Sequence, residues 1–81
     1  MIVQVQLFAR ARDLAGAGVA EVELPEGSRV RDLKRQLGLA LPRLRQLLER
    51  SAIAVNDEYV ADDDVLVADA EIALIPPVSG G

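Results

Sequence analysis

Eighty-one residues, half of them apolar, with a net charge of −4 and neither cysteine nor histidine, already restrict what this chain can be. That length holds one small core and no second lobe. The missing cysteines remove disulfides, thiol nucleophiles and thiolate metal sites, and the missing histidines remove the commonest general base and metal ligand.

In chain order, Ile2 to Phe8 alternates, with Val3, Val5 and Leu7 on one face and Gln4 and Gln6 on the other, which predicts a strand with one buried face. Ala9 to Gly18 reads as a short helix or loop closing at Gly16. Val19 to Leu24 alternates again, burying Ala20, Val22 and Leu24 and exposing Glu21 and Glu23, so the first two strands are expected to pair antiparallel. After the break at Pro25, Ser28 is placed as the N-cap of the main helix. Val30, Leu33 and Leu37 recur at helical spacing and predict a helix from Arg29 to Leu37, stopping near Gly38.

Leu44, Leu47 and Leu48 repeat as i, i+3 and i+4 and predict a second, shorter helical piece beneath the sheet. Ser51 to Asn56 is a short strand ending in a turn on Asn56 and Asp57, with Tyr59 and Val60 as a brief return strand. Asp62, Asp63 and Asp64 lack the spacing of a calcium loop and are expected in a solvated turn, so no metal is assigned. Glu71 to Ile75 is the last strand, with Ile72 and Leu74 on one side and Ala73 and Ile75 on the other.

The terminal strands are too far apart in the chain for a hairpin, and side by side at the sheet centre they run parallel. The expected architecture is α+β, a mixed sheet of four or five strands packed on one main helix. Residues 1–75 form the domain and residues 76–81 an extended tail, because Pro76 and Pro77 cannot donate to a ladder and hold polyproline geometry. With no apolar run near the roughly 18 residues of a membrane span, and no basic leader, a cytoplasmic protein is expected.

Charge is unevenly spread. Residues 29–50 carry seven bases and two acids, whereas residues 51–81 carry seven acids and no base. Such a division is either a self-complementary surface or a device that steers the acidic half toward a basic partner. The overall acidity and the presence of only two aromatic rings oppose nucleic-acid binding. No phosphate loop is present either, since Gly16 and Gly18 precede a strand.

Chemistry is therefore sought in the ending, Ala73 to Gly81, "ALIPPVSGG". A carboxylate on Gly81 becomes an acyl donor once another enzyme adenylates it. Gly80 and Gly81 carry no side chain to block a narrow channel. Pro77 to Gly81 can reach at most about 17 Å, at roughly 3.4 Å per residue, and the prolines lower the entropy lost on insertion.

These residues resemble a known family. "LFARARDLAG" at 7–16, "VELPEGSRVRDL" at 22–33, "AVNDEYV" at 54–60 and above all "ALIPPVSGG" at 73–81 are similar to the small, sulfur-carrying subunits of molybdopterin synthase, which are ubiquitin-like β-grasp proteins. The resemblance implies a sulfur-donating subunit whose catalytic side chains lie in another polypeptide. Gly81, with Gly80, would be the reacting end: adenylated by an E1-like adenylyltransferase that uses ATP, converted to a thiocarboxylate, and inserted into the large synthase subunit. There the sulfur passes to cyclic pyranopterin monophosphate. It implies a heterotetramer with the large subunit, no cofactor bound by this chain, and partner contacts at Phe8, Arg12, Tyr59 and Ile75 and along Pro76, Pro77, Val78 and Ser79. One departure is Ala68-Asp69-Ala70-Glu71, where the family often has a glycine; Asp69 tolerates the left-handed backbone such a turn needs. The alternatives are a sulfur carrier for thiamine or tRNA thiolation, a ubiquitin-like protein modifier, or a binding module with an inert tail.

Overall fold

A computed structural model describes residues 1–77. Strand β1 (Ile2–Leu7) buries Val3, Val5 and Leu7 and exposes its alternate residues, as the period of two requires. Helix α1 (Ala9–Ala15) follows and stops at Gly16, which adopts φ +73° and donates its N–H to the Arg12 carbonyl at 2.9 Å. Strand β2 (Val19–Glu23) returns antiparallel to β1, with Val3 opposite Val22 and Val5 opposite Ala20.

Helix α2 (Val30–Ala40) presents Val30, Leu33 and Leu37 to the core. Its two ends correct the expected boundaries. At the start, Ser28 is not the cap: its hydroxyl donates to the Pro25 carbonyl at 2.7 Å, and Arg29 occupies the capping position. An arginine side chain cannot accept a hydrogen bond. The first free amides are instead satisfied from elsewhere, the Arg29 N–H by the Asp32 carboxylate at 2.9 Å, and the Val30 and Arg31 N–H groups by the carbonyls of Asp64 and Asp62, both at 3.0 Å. The acid triplet is therefore more than a solvated turn. It lies across the start of α2, where Asp62 pairs with Lys34 at 3.0 Å and Asp63 with Arg31, and its negative charge suits the positive end of the helix.

At the other end, α2 runs through Gly38 and ends only before Pro42, because a residue preceding proline is pushed out of helical geometry; Leu41 has φ −128° and ψ 79°. Asp32→Ala is expected to lower stability by about 1 kcal/mol through loss of the contact to the Arg29 amide, which a thermal melt at neutral pH checks.

A 3₁₀ turn (Pro42–Leu44) leads into a short helix α3 (Arg45–Leu48), and Leu44, Leu47 and Leu48 are buried as the spacing predicts. Strands β3 (Ala52–Val55) and β4 (Glu58–Val60) form a hairpin whose two turn residues, Asn56 and Asp57, both have positive φ, the geometry that matches the strand twist. Asn56 also exchanges hydrogen bonds with Glu71, tying the hairpin to the start of β5 (Ile72–Ile75). Asp69 takes φ +66°, as its place in the preceding turn requires.

The sheet has five strands in the order β2-β1-β5-β3-β4. The terminal strands β1 and β5 lie side by side at its centre and run parallel, with Leu7 opposite Leu74. The helices cover one face, where Leu33, Leu37, Leu44, Ile53, Ile72 and Leu74 close a single core. The class is α+β, as expected. Among the described residues no helix is long and apolar enough to cross a membrane.

Candidate functional site

The face of the sheet that the helices leave open is built by the residues out of phase with the core. Pairing places Val19, Gln6, Ala73, Ala54 and Tyr59 in one row across all five strands. The two alanines at its middle leave a shallow depression of about 290 Å³. Tyr59 stands at one side of it on the edge strand and Gln6 at the other, with Phe8 and Ile75 at one end and Asp57 and Glu71 also on the wall.

Three of the residues singled out in the sequence meet here. Phe8 is 46% exposed and Tyr59 71% exposed, so the only two aromatic rings of the chain both face solvent; Ile75 is half-buried. Apolar side chains gathered on an uncovered face of a small domain mark a surface made to be covered. Phe8 reaches this position because its backbone stays extended, at φ −122° and ψ 158°, so the alternation that buries Leu7 puts Phe8 on the open side; the chain turns only after it, at Ala9 with φ +49°. Arg12 is different. It lies on α1 with its guanidinium near Gly18, and it does not line the depression.

Topology fixes where the chain leaves. Because β5 runs parallel to β1, both strands end at the same edge of the sheet, and Ile75 follows Leu74 where Phe8 follows Leu7, with Pro76 next in the chain. Pro76 is half-buried and Pro77 exposed, so the chain departs beside the aromatic patch. Val78, Ser79, Gly80 and Gly81, the other residues assigned to the tail, lie outside the described residues.

Sequence reasoning passed over Gln6, Ala54, Asp57, Ala73 and Glu71 as site residues. The signal was present in the alternation of Ala52 to Val55 and Ile72 to Ile75, where small residues fall on the phase opposite to the core. The rim is acidic: Asp57 and Glu71 line the depression and no base does, which suits a partner with a basic border.

Comparison with known proteins follows the same lines. The model of the ThiS family matches residues 5–81. The molybdopterin synthase sulfur carrier subunit of Chlamydomonas reinhardtii is 37% identical over 83 aligned positions, covering all of both chains. The fold is similar to that of SAMP1 from Haloferax volcanii, with a TM-score of 0.88 and 28% identity over the whole of both chains. It is also similar to a chain in the complex of subunits 1 and 2 of the molybdopterin-converting factor from Helicobacter pylori 26695, with a TM-score of 0.69, 26% identity and full coverage of both.

Proposed function

Because the chain belongs to the ThiS family, we propose that it is a sulfur carrier subunit of molybdopterin synthase, working through the carboxylate of Gly81. The observation that carries the proposal is the exit of the chain at Pro76 beside the patch formed by exposed Phe8 and Tyr59 and half-buried Ile75. A partner that covers this patch receives the arm of residues 76–81 at the same time.

In this reading the Gly81 carboxylate attacks the α-phosphate of ATP on an E1-like adenylyltransferase, and pyrophosphate leaves. Sulfide then attacks the acyl carbon and displaces AMP, with its proton released, which makes the terminus a thiocarboxylate. The large synthase subunit binds the open face through Phe8, Tyr59 and Ile75, and the arm carries the sulfur to cyclic pyranopterin monophosphate in that subunit's own pocket. The carrier supplies docking and delivery, and the acid–base groups belong to the partner. Arg12, away from the depression, contributes at most at the border of the contact. The similarity to a chain from a subunit 1 and 2 complex supports a large-subunit partner.

An exposed aromatic ring on a docking face concentrates binding energy when a partner covers it. Tyr59→Ala is expected to weaken binding to the large subunit by about 2 kcal/mol while leaving the melting temperature nearly unchanged, since the ring is exposed in the free protein. Calorimetric titration checks this, and unchanged affinity contradicts the assignment of the face.

A second reading is favoured by the likeness to SAMP1, a small archaeal modifier protein. The same activated Gly81 would then be joined to lysine amines as an isopeptide. Gly-Gly remnants on lysines of other proteins after proteolysis distinguish it from sulfur transfer, which leaves none.

A further inference from the structure

We propose that β2, a free edge of the sheet, takes an added antiparallel strand from a partner protein, an extended segment that alternates apolar and basic residues. In the order β2-β1-β5-β3-β4 only one side of β2 is used. The register shows which groups stay free. Leu7 donates its N–H to the Gly18 carbonyl at 2.9 Å, and Leu24 donates to the Met1 carbonyl at 2.8 Å. Bonded and non-bonded pairs alternate along an antiparallel ladder, and Val5 opposite Ala20 and Val3 opposite Val22 fall between those two. The backbone groups of Ala20 and Val22 are therefore turned toward β1, and those of Val19, Glu21 and Glu23 point away from the sheet. Among the described residues none of these three has another backbone partner.

A cavity of about 200 Å³ follows the same edge. Val19, Ala20, Glu21 and Val22 line it in succession. Neighbours on a strand point to opposite faces, so a space touched by all four lies against the edge itself and not over one face. Helix α2 contributes Leu37 and Ala40, and Glu21 is the only charged residue on the wall. An added strand meets the three open residues with its own N–H and carbonyl groups and turns every second side chain beneath the sheet, where the cavity has room for a branched aliphatic one.

The other side chains of the added strand meet carboxylates. Glu21 accepts a hydrogen bond from Gln4 Nε2 at 3.1 Å, which places it on the open face, and Glu23, two residues on, shares that face. The five strands contain no base. Arg12 stands near Gly18, just before β2, but among the described residues no base pairs with Glu21 or Glu23 within 4.0 Å. Residues directly opposite on antiparallel strands project to the same face, where opposite charges attract and like charges destabilise the pairing. Lysine or arginine is therefore favoured opposite each glutamate. A second copy of β2 is disfavoured for the same reason, since it would gather two glutamates from each chain on one short ladder. A nucleic acid brings neither positive charge nor backbone groups in strand register. The edge lies across the sheet from Tyr59 on β4, and its recognition does not depend on Gly81.

The test is an NMR titration of the full chain with the synthetic peptide Lys-Val-Lys-Val-Lys-Val-Lys. Three altered peptides accompany it: one with Glu for Lys, one with Ser for Val, and one methylated on the lysine amide nitrogens, which keeps every side chain and removes the donors that face β2. The expected result is saturable shifts at Val19, Glu21 and Glu23 with slowed amide hydrogen exchange at the same three residues, lost with each altered peptide. The double variant Glu21→Lys, Glu23→Lys is expected to bind the lysine peptide roughly tenfold more weakly and to accept the glutamate peptide instead. Ala40→Leu, at an exposed position of α2 where leucine suits a helix, fills the cavity and weakens binding roughly threefold. Absence of saturable binding, equal binding of the methylated or the glutamate peptide, shifts confined to the depression beside Tyr59, or protection of the three amides by self-association at raised protein concentration would each overturn the proposal.

Discussion

Deletion of Gly81 is expected to give a protein that melts where the full chain melts yet accepts no sulfur and supports no molybdopterin synthesis. The separation of the two effects follows from where the residues lie. The core closes with Ile72 and Leu74 of β5, and no residue beyond Ile75 belongs to a strand or helix among the described residues. Shortening the arm by one residue also withdraws the terminal carboxylate by about 3.4 Å, a distance that matters when reacting atoms must approach to roughly 3–3.5 Å. A melting scan and a reconstituted synthesis assay read the two effects separately, and retained synthesis would contradict the assignment of Gly81.

Leu74→Ala is expected to do the opposite, lowering stability by about 2–5 kcal/mol through the cavity left in the core. Leu74 is fully buried on the central strand and is paired with Leu7 on one side and Ile53 on the other. The loss is a large fraction of the roughly 5–15 kcal/mol that holds a small domain together. Function falls with it only indirectly, through the smaller folded fraction. Denaturant unfolding checks the magnitude. Below the unfolding transition the folded fraction of the variant should still accept sulfur, which separates it from the Gly81 deletion.

Much of the fold was legible because the strands alternate cleanly. Val3, Val5 and Leu7 against Gln4 and Gln6, and Ile72 and Leu74 against Ala73 and Ile75, specify both the strands and their buried faces. That the terminal strands run parallel if they lie side by side was readable from the chain connectivity, and the structure pairs β1 with β5 in that sense. Less legible were contacts distant in sequence. Ser28 has the right chemistry for a cap, but the segment around Asp62 and Asp64 reaches back to satisfy the amides of α2, and no local pattern announces that. Gly38 looked like a helix stop, yet it sits in the helix where Leu48 and Arg45 approach closely, and Pro42 sets the end.

The site was readable in part for a related reason. Phe8, Tyr59 and Ile75 are apolar residues whose strand phase or position at a strand end puts them on the open face, and the sheet brings them together. Arg12 has no such phase, and the structure leaves it outside the depression. Two alanines, Ala54 and Ala73, shape the hollow simply by being small, a role that becomes visible only when the strand register aligns them.

The division of charge has a physical outcome as well. Two acids of the C-terminal half, Asp62 and Asp63, are used within the fold to hold α2, whereas Asp57 and Glu71 remain on the rim of the open face. Self-complementarity is thus present at the start of α2, while the acids on the rim of the open face make no ion pair among the described residues.

The central claim, that Gly81 carries sulfur, is tested most directly by the intact mass of the full chain after incubation with ATP, an activating adenylyltransferase and a sulfur donor. The account predicts a mass gain equal to replacement of one oxygen by one sulfur, located at Gly81 by fragmentation and abolished when ATP is omitted. An unchanged mass under conditions in which a known carrier is converted, or the appearance only of conjugates with Gly-Gly remnants on lysines, would contradict it.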